Sequence, residues 1–134
     1  MAFSGEEAGL LGSFYYVNNP LFPLNNIKLL LNLDMVGTGS DGIKVVNGTQ
    51  FPDIFNKMKD FNDKNHLLTT VSSRGTSANS DHYPFYNKGV TAMFIYTMGK
   101  EHTEYHTPED KSEKLPFTAY NELFRFITGF LKTL

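Results

Sequence analysis

The sequence predicts a single layered α/β domain, with helices packed on both sides of a largely parallel sheet. The run "IKLLLNLDMVG", Ile27 to Gly37, is almost continuously apolar and ends in glycine, as strands buried on both faces do. "VTAMFIYT", Val90 to Thr97, reads the same way. Between and after these runs lie stretches whose apolar residues recur at helical spacing, so strands alternate with helices. A length of 134 residues suits one such domain and is short for two.

The elements follow in order. "AFSGEEAGLLGS" opens the chain, and Leu10, Leu11, Phe14 and Tyr15 recur at helical spacing, predicting a helix over residues 6–18. "NNPLFPLNN", Asn18 to Asn26, is a Pro/Asn connector, and Ile27–Gly37 the first long strand. "TGSDG" reads as a turn and "IKVVNG" as a short strand closed by Asn47-Gly48. Ile54, Phe55, Met58 and Phe61 predict a helix from Pro52 to Asn65. "LLTTVSS" is a β-branched strand, followed by the Val90–Thr97 strand. From Phe117 to Leu134, the residues Tyr120, Leu123, Phe124, Ile127, Phe130 and Leu131 read as one apolar helical stripe facing the core.

Composition removes several function classes. A net charge of -2 gives no basic footprint for nucleic acid or an anionic membrane, and no apolar run approaches the roughly 18 residues a bilayer crossing requires. There is no cysteine, which excludes disulfides, thiolate metal sites and cysteine nucleophiles. Neither a Gly-x-Ser-x-Gly elbow nor a nucleotide-binding glycine fingerprint is present; "GTGSDG" has the wrong spacing.

Polar residues gather at the ends of the predicted strands. Ser4-Gly5-Glu6-Glu7 matches a helix capping box, in which Glu7 would reach back to the Ser4 amide. Asp34 ends an apolar strand at its carboxyl end, where open α/β sheets place ligands; a turn or cap role is the alternative. "NSDHYPF" sets Asp81 beside His82 in a loop, and an Asx-type turn explains it equally well. "KEHTEYHTPEDKSEKL" carries His102 and His106 four apart, but Thr107-Pro108 disfavours helix there and predicts a loop. His66 lies on a charged stretch and reads as a surface residue. Together Glu6, Glu7, Asp34 and His106 have the composition of a zinc site with a spare carboxylate as proton acceptor.

Four blocks, "FSGEEAGLLGS", "LNLDMVG", "SDHYPF" and "YHTPEDKSEKL", stand in the order and approximate spacing of a zinc exopeptidase family. The chain resembles the co-catalytic dizinc aminopeptidases, whose relatives include the glutaminyl cyclases. The resemblance implies a mixed, largely parallel sheet of the zinc-aminopeptidase type and a reaction removing N-terminal residues from peptides. It implies that Glu6 is the general base, that Glu7 and His106 are ligands of one zinc, and that Asp34 is a ligand of the second. It also implies that Asp81 is a hydrogen-bonding carboxylate beside the site and that Asp110 orders the "HTPED" loop. Two ions about 3.5–4 Å apart can activate water and anchor the substrate amine. A glutaminyl cyclase-like acyltransferase, using one zinc at the same positions, and a non-catalytic peptide-binding or dimerisation module are the alternatives.

In the resembled family, a further histidine and a bridging aspartate come from the segment before the Glu-Glu block, where this sequence has Met1 to Gly5. The expectation is therefore that residues 1–134 are the C-terminal portion of one zinc peptidase catalytic domain lacking its N-terminal strands. On that expectation zinc occupancy is partial or nil and activity of these residues alone is little or none. Self-association through an exposed sheet edge or apolar surface is expected. Export to the periplasm or outside the cell is suggested by the resemblance alone, and the compartment is left open.

Overall fold

The computed structural model describes all residues from Met1 to Leu134. Four helices and four strands are ordered α1 (Leu11–Asn18), β1 (Leu30–Leu33), β2 (Gly42–Val46), α2 (Pro52–Asn65), β3 (Val71–Arg74), α3 (His82–Asn87), β4 (Ala92–Met98) and α4 (Tyr120–Leu131), with two short 3₁₀ turns. The sheet order is β1-β4-β2-β3. β1 runs parallel to β4 and β2 parallel to β3, while β2 and β4 pair antiparallel, so the sheet is mixed.

α2 forms where its local signals agree. Pro52 sits in the first turn, where its missing N–H costs nothing, with Asp53 beside it at the positive end of the helix dipole and Lys64 at the other end. His66 closes the helix in the left-handed region, its N–H bonding the Asn62 carbonyl. The buried Asn62 side chain then accepts from the Leu68 amide and donates to the Leu68 carbonyl, fixing the exit toward β3. The β2–α2–β3 unit is thus a parallel crossover.

β4 is the spine of the molecule, and its side chains alternate between two cores. Met93 and Ile95 join Ile43, Val45, Met58, Leu123, Phe126 and Phe130 beneath α2 and α4. Ala92 faces the other way, with Val17, Phe85 and Val90 beneath α1 and α3. The result is the predicted helix/sheet/helix layering.

Three expectations are corrected. The first helix begins at Leu11, not residue 6, and the capping box does not form. Gly5, Gly9 and Leu10 all adopt positive φ and coil the chain, so that backbone carbonyls of Ser4, Gly5 and Glu6 accept the amides of Gly12, Leu11 and Leu10. Those amides are satisfied by main chain, which leaves both glutamate side chains free of capping. The strand predicted over Ile27–Gly37 is shorter and lies at the sheet edge, only partly buried, where a strand buried on both faces was expected. The stripe assigned to the last helix divides: Leu123 and Phe130 are buried and Ile127 half-buried, whereas Tyr120, Phe124 and Leu131 are exposed, and Phe126, outside the predicted stripe, is buried in their place.

Candidate metal centre

The carboxyl ends of the parallel strands β1 and β4 open into a polar groove, as the strand-end rule for α/β sheets anticipates. Asp34 follows β1, its amide still bonded to the Ile95 carbonyl, and Met35 then turns out of the strand at positive φ. Ser80 occupies one Asp34 oxygen, donating to Oδ2 at 2.7 Å, and itself accepts from Asn32 Nδ2 at 2.7 Å. Ser80 is fully buried, so this relay orients the carboxylate from beneath. Asp81 is held similarly: buried Ser13 of α1 donates to its Oδ1 at 2.5 Å.

Glu6 and Glu7 come from the coiled loop before α1, and His106 from the loop after β4. His106 Nε2 meets Glu7 Oε1 at 3.1 Å, across 99 positions of sequence, and both side chains are open to solvent. His106 adopts positive φ, and the Tyr105 ring stacks on its imidazole with centroids 3.9 Å apart. Several bonds hold that loop. Glu101 accepts from the Gly39 and Ser40 amides and the Ser40 hydroxyl, and His102 Nε2 lies 2.8 Å from Asp110 Oδ1. The bonds from the Ser40 hydroxyl and then the Ser40 amide pull the Glu101 carboxyl down to about 2.

Two clefts meet at Glu7. One, of about 510 Å³, is lined by Glu6, Glu7, Asp34 and Asp81 together with Asn32 and Ser80. The other, of about 590 Å³, lies on the far side of Glu7 and His106 and is walled by Met35, Val36, Leu115 and Phe117. The acidic cleft raises the Glu6 carboxyl above its ordinary value, first through burial and then through the negative charges of Asp34, Glu7 and Asp81. Proton affinity so raised suits a general base better than an isolated glutamate would.

The structure therefore brings Glu6, Glu7, Asp34 and Asp81 to one cleft, with His106 at its rim on Glu7. Asp110 lies outside that cleft, lining the second one with Glu7 and His106, and contacts His102. In kind, carboxylate oxygen and imidazole nitrogen suit zinc. In number they fall short of a complete site: no three His, Asp or Glu side chains converge closely enough to hold an ion. The supporting residues Ser13, Asn32, Ser80, Glu101 and Tyr105 were not foreseen. Only Asn32 left a signal, lying two positions before Asp34 and so on the same strand face in an otherwise leucine run.

His82, next to Asp81, is fully buried against Phe94, with ring centroids 5.3 Å apart. Neither ring nitrogen has a hydrogen-bond partner of good geometry. Burial lowers its pKa to about 4, and the nearby backbone of Ser80 and Ser77 offsets only part of that effect.

Residues 1–131 match the family model for peptidase family M28. Aminopeptidase YwaD of Bacillus subtilis is 34% identical over 127 residues, which cover 86% of this chain and 27% of that protein. Leupeptin-inactivating enzyme 1 of Streptomyces exfoliatus is 33% identical over 103 residues, covering 76% of this chain and 23% of its own length. Among solved structures, a zinc aminopeptidase from Bacillus subtilis superposes with a TM-score of 0.79 at 27% identity, over 97% of this chain and 34% of that one. A glutaminyl cyclase from Porphyromonas gingivalis shares the fold, with a TM-score of 0.72 at 17% identity over 98% of this chain and 49% of its own. The chain thus spans about a quarter of the curated relatives and a third of the aminopeptidase structure.

Proposed function

This chain belongs to peptidase family M28, and from that premise we propose that it forms the C-terminal portion of a zinc aminopeptidase catalytic domain that removes N-terminal residues from peptides. The observation that carries the reading is the Glu7–His106 contact at the mouth of a cleft holding Glu6, Asp34 and Asp81. Glu7 and His106 would hold one zinc; Asp34, with one oxygen committed to Ser80, would offer the other to a second. Zinc when bound supplies Lewis acidity at the scissile carbonyl and lowers the pKa of a water. Glu6 takes the proton of the attacking water, its affinity raised by burial and its acidic neighbours, and hands it to the departing amine. Ser80 and Ser13 keep Asp34 and Asp81 in fixed rotamers through that transfer. The apolar walls of the second cleft, Met35, Val36, Leu115 and Phe117, would receive a substrate side chain.

Three ligand side chains for two ions make a weak pair of sites, so residues 1–134 alone should take up zinc poorly and turn over little substrate. β1 leaves the outward backbone groups of Leu29, Leu31 and Leu33 unpaired at the sheet edge, which favours pairing with a strand of another chain. The test is zinc titration calorimetry on the 134-residue chain with a leucine anilide assay in parallel. Expected are weak zinc binding that drops on Glu7→Gln and on His106→Gln, and near-background turnover. Zinc uptake indifferent to both substitutions would sink the ligand assignment. Robust turnover abolished by Glu6→Gln would uphold the activity and refute the incompleteness.

A further inference from the structure

His106 reaches Glu7 from an exposed loop with little to steer it. Its side chain is 56% exposed and its backbone lies at positive φ; Nε2 meets Glu7, and Nδ1 makes no hydrogen bond. A zinc-ligating histidine ordinarily gives its second ring nitrogen to a carboxylate or carbonyl, which fixes the ring. The Tyr105 ring stacked on the imidazole is itself exposed and rides on the same loop. Where His106 sits is therefore decided by how that loop is tied to the rest of the fold.

Inside, the loop is braced. His102 Nε2 lies 2.8 Å from Asp110 Oδ1, the Thr107 hydroxyl donates to the Glu104 carbonyl at 2.6 Å, and the Asp110 amide donates to the Thr107 carbonyl at 3.1 Å. These bonds hold residues 102–110 together, but none ties them to the sheet. From Gly99 to Thr118, two side chains make polar bonds outside the loop. One is His106. The other is Glu101, which accepts from the Gly39 amide at 2.8 Å, the Ser40 amide at 2.9 Å and the Ser40 hydroxyl at 2.7 Å. Such charge-assisted bonds are the strong ones. Gly99 leaves them room, since a Cβ there would run into the Glu101 carboxylate. A further tie, the Phe117 amide on the Gly37 carbonyl, lies eleven residues from His106, against five for Glu101. Gly39 and Ser40 stand on the segment that leaves Asp34, and the second cleft lies between that segment and the loop.

We propose that Glu101, given the ligand role proposed above for His106, is its positioning residue: the carboxylate, clasped to Gly39 and Ser40, sets the loop so that the imidazole meets Glu7. Glu101 lines neither cleft, so it acts through His106 and touches no substrate. Asp110 braces the loop internally, whereas Glu101 fixes where the braced loop lies. Its carboxyl, held near 2, stays charged across the neutral range, which makes the clasp a fixed tie.

Glu101→Ala removes all three bonds at an exposed position, so the variant should still melt cooperatively. Zinc titration calorimetry should show Kd rising about 10-fold. The same rise is expected when the substitution is made in Asp34→Asn, and none in His106→Gln, where no imidazole is left to place. A merely structural role would weaken zinc equally in both backgrounds, and that result overturns the proposal. So does an unchanged Kd in Glu101→Ala when His106→Gln alone weakens zinc. If His106→Gln alone leaves zinc binding untouched, the ligand reading fails instead, and the metal-free chain decides for Glu101. There the nuclear Overhauser contact between the His106 ring protons and the Glu7 side chain should be present in wild type and lost in Glu101→Ala. A contact that persists in the variant, or is missing from both, overturns the proposal.

Discussion

Lowering the pH from 7.5 to 5 should cost the fold about 2 kcal/mol through His82 alone. The ring is wholly buried beside Phe94 without a partner for either nitrogen, and its pKa falls from 6.5 to about 4. A histidine whose folded pKa is depressed stays neutral in the native state while the unfolded chain takes up a proton. Its stabilising contribution is therefore full above 6.5 and is lost as pH falls toward 4. At pH 5 the unfolded imidazole is almost entirely charged and the folded one almost entirely neutral, which gives the figure of about 2 kcal/mol. Urea unfolding at the two pH values, on wild type and His82→Leu, measures it. Leucine approximates the ring's bulk and removes the unpaired nitrogens, so the variant should match or exceed wild type at pH 7.5 and lose much less on acidification. Glu6 acts in the opposite sense, its raised pKa giving stability that fades as pH rises, but it is common to both proteins and cancels in the difference. Equal pH dependence in the two would refute the assignment.

Three further outcomes are expected. Glu101→Gln should speed hydrogen exchange at the Gly39 and Ser40 amides, since the carboxylate accepts from both. Because the Glu101 pKa is depressed to about 2, the stability it lends is present above 4.5 and disappears as pH falls toward 2; the variant should lack that acid limb in a thermal melt, and exchange rates equal to wild type would contradict it. Ser13→Ala strips the buried Asp81 of its hydroxyl donor and should lower unfolding free energy by about 1–3 kcal/mol in urea titration, with an unchanged midpoint counting against a structural role for the bond. Gly42→Ala should destabilise by more than about 1 kcal/mol, because φ is +89° and a Cβ would run into the Thr70 backbone where β2 begins; a melting temperature equal to wild type would show that the turn can open.

α2 and β4 were legible because their signals are local: Ile54, Phe55, Met58 and Phe61 at helical spacing, and a run from Val90 to Thr97 that is apolar on both sides. The layering follows from their alternation. β1 was misjudged because apolarity records that a strand wants neighbours on its faces but not where it lies in the sheet. The start of α1 was misjudged because its carbonyl caps depend on Gly5, Gly9 and Leu10 at positive φ, and Ser13 is tied to Asp81, 68 positions away. Apolar periodicity in α4 counted residues without knowing which flank the sheet would cover. Of the site, the acids and His106 stood out by motif order. The Ser80 relay did not, because it exists only once β1 lies beside the loop that leads into α3.

The polar contacts of the cleft have a consequence for how the chain reaches its native state. Ser80 meets Asp34 across 46 positions, Ser13 meets Asp81 across 68, and Glu7 meets His106 across 99. Each requires closing a long loop, whose entropy must be met before the contact gives anything back. Short-range turns such as α2 can form early, but the cleft assembles only when the first third of the polypeptide has met both the middle and the last thirds. A partly folded chain accordingly has its acids and imidazole scattered, and the groove takes shape only with the completed fold.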